Sequence, residues 1–228
     1  MPNHVTNMMQ SSKEVISSMM NDAGLPDFSL VIPMHGDLDL QGRGYSMSAE
    51  DAAKLVCGNH THENPLIAML SARERESIDV TSFRDTEFNQ FLQMVINKRK
   101  HGYYHSMDFA RNAWGTKWGA YDFDKSRSTE ETLVFDTAWN SPEKIFKALS
   151  KKFPDEKIVI NYADEDLGSN CGKYTLLNGE IIESDIAPSY SEQSTEEKRK
   201  WNEFAFLLCH GETDPKEWGY DEQWNLTE

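Results

Sequence analysis

The sequence predicts an α+β fold, and three observations carry that prediction. The hydrophobic period changes near Trp114, from helical spacing before it to short apolar runs after it. An Asn-Gly pair, Asn178-Gly179, separates two of those runs and marks a tight hairpin. The 228 residues are 38% hydrophobic and 11% aromatic, which provides enough large side chains for a sizeable core.

The elements follow in order. His4 to Gln10 reads as a strand, and Ser11-Ser12-Lys13-Glu14 opens a helix with Val15, Ile16, Met19 and Met20 on one face. After the breaks at Gly24 and Pro26, Phe28-Ser29-Leu30-Val31-Ile32 reads as a second strand stopped by Pro33. Gly36 to Gly44 reads as a loop. Ser48-Ala49-Glu50-Asp51 then opens a helix that Gly58 closes, and Asn64-Pro65 starts another. Phe88, Phe91, Leu92, Val95 and Ile96 recur at helical spacing, with Lys98, Arg99 and Lys100 near the end and Gly102 beyond it.

Past Trp114 the order becomes β-α-β-β: strands near 132–139, 157–163 and 173–184, with a helix from Ser141 to Lys152 that Ser141-Pro142-Glu143 would cap. Glu192 to Cys209 is a further helix, with Trp201, Phe204, Ala205 and Leu208 in a stripe, and the aromatics Trp218, Tyr220 and Trp224 suggest that the tail docks. The expected organisation is a sheet domain over 1–184 interrupted by a helical insertion at 46–111, then a C-terminal helix and acidic tail over 185–228.

There are 38 acidic against 23 basic residues, a formal charge of −15, so the summed field repels phosphate backbones and anionic lipids. Direct nucleic-acid binding and membrane association are disfavoured, whereas a basic protein surface is attracted. Solubility alone accounts for such acidity in many proteins. Three widely spaced cysteines, Cys57, Cys171 and Cys209, suit a reducing cytoplasm. No apolar run approaches the roughly 18 residues that span a bilayer, and the polar start is unlike an export signal.

Four blocks of sequence resemble one family. They are the opening Met1-Pro2-Asn3-His4-Val5-Thr6-Asn7; Asn112-Ala113-Trp114-Gly115-Thr116-Lys117-Trp118-Gly119-Ala120-Tyr121-Asp122; Phe135-Asp136-Thr137-Ala138-Trp139; and Tyr162-Ala163-Asp164-Glu165-Asp166 with Gly168-Ser169-Asn170-Cys171-Gly172. In that order they are similar to the YubB-type family of phage and plasmid proteins. The resemblance implies a ferredoxin-like domain in a mobile-element protein, and it brings no reaction and no catalytic residues.

Two groups of residues are candidate sites. Asp164, Glu165 and Asp166 at a strand end, and Glu212, Asp214, Glu217, Asp221 and Glu222 in the tail, lack basic neighbours in sequence and form candidate partner-binding clusters. Trp114, Lys117, Trp118, Trp139 and Asp136 could line a pocket, although packing of the three tryptophans in the core is the stronger expectation, with Lys117 laid over them and paired to Asp136 or Asp164. Asp136 with the 164–166 acids could also hold Mg²⁺ or Ca²⁺, but an acidic turn is the plainer reading, so neither metal nor cofactor is assigned. Cys171 beside carboxylates is a poor nucleophile, His60, His62 and Glu63 lack further ligands, and His101 and His105 read as exposed polar residues.

The function expected on these grounds is an accessory protein in the bacterial cytoplasm that binds a host protein or nucleoprotein complex with a basic surface, such as a defence nuclease or CRISPR effector, and inhibits it. A homodimer is compatible with the sequence. The alternative is a small-molecule or metal-dependent enzyme built on Trp114, Asp136 and Asp164, which requires that those residues meet.

Overall fold

The structure, a computed structural model, describes residues 3–40, 44–58, 78–221 and 224. In chain order the main elements are β1 (His4–Gln10), α1 (Lys13–Ser17), α2 (Met47–Cys57), α3 (Asp85–His101), α4 (Ser106–Phe109), β2 (Thr132–Ala138), α5 (Glu143–Lys152), β3 (Ile158–Asp164), β4 (Gly172–Leu177), β5 (Glu180–Ile186) and α6 (Thr195–His210). The chain divides into two units, Met1–Pro33 with Ala110–Glu228, and Met34–Phe109.

In the first unit the five strands form one sheet ordered β2-β1-β3-β4-β5, every neighbouring pair antiparallel. Because β1 lies antiparallel between β2 and β3, those two strands run parallel to each other, joined through α5: a split β-α-β arrangement. The β-α-β-β order read from the sequence is present.

The register assigns the faces. Val5 stands opposite Thr137 and Asp164, and Thr6 opposite Asp136 and Ala163, so these two rows point to opposite sides of the sheet. On one side Phe135 meets Phe146 of α5 and Phe28, at ring-centroid separations of 6.3 and 5.8 Å. On the other, Ala163 and Cys171 pack against Trp201, Ala205 and Leu208 of α6. Helices on both sides explain why β1 is almost continuously buried instead of alternating.

Local chemistry sets the boundaries. Asn178 and Gly179 turn β4 into β5 with φ of 51° and 80°, the left-handed pair a two-residue hairpin needs. Ser194 and Glu197 form a reciprocal capping box at the start of α6. The tail docks on that helix: Trp218 lies 3.9 Å from the His210 ring, and Tyr220 and Trp224 stand 6.0 and 5.1 Å from Phe206. Segment 121–124 bonds along the outer edge of β2, whereas β5 is the other edge and leaves Ile181, Ile182 and Ile186 exposed among Glu180, Glu183 and Asp185.

Two expectations in this unit need correction. Phe28–Leu30 is a 3₁₀ turn instead of a strand, because the Asp27 side chain accepts from Ser29 N at 2.8 Å and closes a local turn that sinks Phe28 into the core. Ser141 does not cap α5. Pro142 occupies the N-cap position, where no side-chain cap hydrogen bond forms among the described residues.

In the second unit α2 and α3 pack through Ala49, Ala53, Met94 and Tyr104. Ser46, two residues before the expected start, caps α2 by accepting from Ala49 N at 3.3 Å, and Gly102 closes α3 at φ 81°. Among the described residues, Glu50, Asn97 and His105 are buried as well. Asn97 donates to Asp37 O at 2.9 Å and Tyr104 O at 3.1 Å. His105, expected at the surface, is 1% exposed, stacked on Tyr45 at 3.9 Å with Nε2 3.5 Å from the buried Glu50 carboxylate. The chain turns inward after Gly102, a change of direction that helical spacing does not reveal. The helix expected from Asn64-Pro65, and His60, His62 and Glu63, lie outside the described residues.

Candidate functional site

The acidic strand end is a knot as well as a surface. Asp164 is 5% exposed, and its carboxylate accepts from Asn3 Nδ2, Asp166 N and Asn170 Nδ2, each at 3.0 Å. It therefore pins the chain before β1 to the loop after β3, and is turned away from any partner. Glu165 and Asp166 are exposed, although Glu165 accepts from His4 N at 3.1 Å and Asp166 from Asn3 at 2.9 Å.

In the tail Glu212, Asp214 and Glu217 are exposed and make no ion pair among the described residues. Asp214 caps the 3₁₀ turn Pro215–Trp218. Asp221 is half-buried, and Glu222 lies outside the described residues. The charge of Asp166 reaches Tyr220, whose phenol is raised first by burial and then by that carboxylate. Asp166, separate in sequence, thus stands beside the docked tail that carries Glu212, Asp214 and Glu217.

The tryptophans part company. Trp114 is buried as expected, edge-on to Phe28 and donating from Nε1 to Ile32 O at 3.0 Å. Trp118 and Trp139 are not buried: they are 36% and 42% exposed. Trp139 ends β2 with φ 72°, a left-handed turn unusual for a bulky residue, and this swings its ring off the sheet. Its main chain is held by N–H donation to Asn3 O and by Asn170 Nδ2 donating to its carbonyl, both 3.0 Å. Lys117 places its ammonium 4.7 Å from the Trp118 centroid and 4.5 Å from Trp139, and pairs with neither Asp136 nor Asp164.

Asp136 and Asp164 occupy rows on opposite faces of the sheet, so Trp114, Asp136 and Asp164 form no common site. Asp136 instead gathers with His4 and Asp122, their ligand atoms all within 4.8 Å of one another, while the Tyr121 hydroxyl lies 3.1 Å from His4 Nδ1. Burial, then the Asp122 charge against a Thr6 hydrogen bond, raises the Asp136 carboxyl. Cys171 is buried and its thiol pushed up to about 12, chiefly by burial, as its poor prospects as a nucleophile required.

A cleft of about 330 Å³ that sequence reasoning missed lies between the start of α5 and the β4-β5 hairpin, lined among others by Ser141, Glu143, Lys144, Tyr162, Tyr174 and Ile181. The buried hydroxyls of Tyr174 and Ser141 stand close together, with no other hydrogen-bond partner among the described residues. Burial drives the Tyr174 phenol far up, with nearby Ser141 pulling against it, so it can donate a hydrogen bond but not serve as a base. The uncapped start of α5 was the available signal, and the expectation that Ser141 caps it concealed that signal.

Residues 113–205 match the family model described as a ferredoxin-like domain in Api92-like protein. Among solved structures, the chain is similar to a protein api92 from Yersinia pseudotuberculosis, with 12% identity over 83% of this chain and 99% of that one at a TM-score of 0.38. A search of curated proteins finds no match.

Proposed function

We propose, taking residues 113–205 as the Api92-like ferredoxin-like domain that their family model matches, that this chain is an accessory protein of a phage or plasmid which binds a basic surface of a host protein or nucleoprotein complex. One observation carries the reading. Glu165, Asp166, Glu212, Asp214 and Glu217 are exposed and unpaired with any cation among the described residues, with Asp166 beside the docked tail that carries the last three, in a chain of net charge −15. An acidic surface of this kind is steered to Lys and Arg sites that ordinarily hold phosphate, and inhibition of a defence nuclease or CRISPR effector by competition is the activity it suits. The divergence of Asp136 and Asp164 weighs against the enzymatic alternative.

The test is affinity capture of the full chain from its bacterial host, followed by association kinetics on the captured complex at rising salt. Affinity should fall as exposed charges are screened over a Debye length of about 10 Å at 0.1 M salt. Reversal of Glu212, Asp214 and Glu217 to Lys should slow association more than it hastens dissociation. A complex indifferent to salt and to reversal of both acidic groups would overturn the reading.

A further inference from the structure

Within the second unit, His35, Asp37 and His101 bring three ligand atoms together within 4.8 Å of one another. His35 Nδ1 stands 3.6 Å from Asp37 Oδ2, and His101 Nε2 stands 3.3 Å from the same oxygen. The two imidazoles stack at 4.2 Å with 29° between their planes, so both ring nitrogens face the one carboxylate, and one ring must turn for both in-plane lone pairs to meet at an ion. We propose that His35, Asp37 and His101 form a binding site for a divalent transition-metal ion of the zinc type.

The spacing is what coordination requires. Ligands about 2.0–2.1 Å from a tetrahedral ion stand roughly 3.4 Å from one another, so the two nitrogen–oxygen separations already match the edges of the polyhedron. Two imidazoles and one carboxylate form the donor set of zinc and ferrous sites that keep open positions for water or substrate. The Asp37 amide donates to His35 Nδ1 at 3.2 Å, which holds the tautomer whose lone pair is on that nitrogen; an ion would replace this long contact.

Lys100, its ammonium 3.9 Å from Asp37 Oδ2 on an exposed stem, balances the carboxylate and can swing aside. Asp37 also lines a cleft of about 560 Å³ with Asp39, Thr86, Asn89, Gln90 and Gln93, so a bound ion would stand at the wall of a polar cavity. The ion would tie segment 35–37 to the end of α3, and the unit would gain stability from it. The second cluster, His4 with Asp122 and Asp136, is the weaker candidate for such an ion, because it offers one imidazole where the first offers two.

The experiment is titration of the full chain with Co²⁺, read by its visible d–d absorption, then displacement with Zn²⁺ and thermal unfolding with and without the ion. One Co²⁺ per chain at micromolar metal and a higher melting temperature with Zn²⁺ are expected. Asp37→Asn keeps the main-chain contacts made by Asn97 and His35, so it tests ligation apart from folding; it and His101→Ala should each weaken binding at least about tenfold. Absence of stoichiometric uptake overturns the proposal. So does uptake unchanged in Asp37→Asn, or uptake lost only in Asp136→Asn, which would assign the ion to the other cluster.

Discussion

The two units bury different things. The first sets buried polar groups such as Asn7, Thr137 and Asp164 within a large apolar core on both faces of its sheet, whereas the second, among the described residues, places Glu50, Asn97 and His105 beside a small group of apolar residues. An apolar core tolerates local error, since any neighbour of the right size restores contact. A polar core holds only while each donor meets its acceptor. Losses in the first unit should therefore follow the apolar area removed, and losses in the second the buried partner left stranded.

The largest expected effect breaks this contrast if it is absent. Trp114→Ala removes a buried ring and should cost about 3–5 kcal/mol, against less than about 1 kcal/mol for Trp139→Ala, whose ring is 42% exposed. Denaturant unfolding compares the two, and equal losses would mean that Trp139 packs inward in solution. Next comes Asn97→Ala, which strands the carbonyls of Asp37 and Tyr104 and should cost about 1–3 kcal/mol. Hydrogen exchange should show that loss within 34–109, with β1 and β3 protected as before.

Acidity sharpens the comparison. Burial pushes the Glu50 carboxyl up, but its Lys54 hydrogen bond and charge, then Tyr45 and His105, hold it below the ordinary glutamate range. A carboxyl lowered in the folded state stabilises above its unfolded value, and that contribution fades as pH falls through the folded one. Exchange in 34–109 should accelerate as pH falls below about 4.3, and Glu50→Gln should flatten that dependence. Asp136 has the opposite sign: raised by burial, it opposes folding as pH climbs, so Asp136→Asn should raise the melting temperature at neutral pH. Gly179→Ala should cost at least about 1 kcal/mol, because φ of 80° disfavours a Cβ and that Cβ would also collide with the Lys151 stem from its Cγ outward, forcing it to move.

The same contrast decides what could be read from sequence. Strands β1 to β5 and helices α5 and α6 were legible because their apolar periods and the Asn178-Gly179 turn are written locally. Phe28–Leu30 was not, because an Asp27 turn outweighed β-branched propensity. The outward swing of Trp139 depends on a positive φ that composition does not announce. The acids Glu165, Asp166, Glu212, Asp214 and Glu217 were legible as charge. That Asp164 turns inward, and that His35, Asp37 and His101 converge across more than sixty residues, follows from tertiary geometry alone.

One strand has a consequence for handling the protein. β2 has its outer edge taken by segment 121–124, so β5 is the side of the sheet from which backbone groups face outward, beside Ile181, Ile182 and Ile186. What discourages a second chain from adding there is the charge of Glu180 and Glu183, since the Asp185 carboxylate is paired with Lys200 at 2.9 Å. Glu180→Gln with Glu183→Gln removes that charge while leaving the isoleucines in place, so aggregation of this variant, followed by light scattering, should begin by edge-to-edge growth of the sheet.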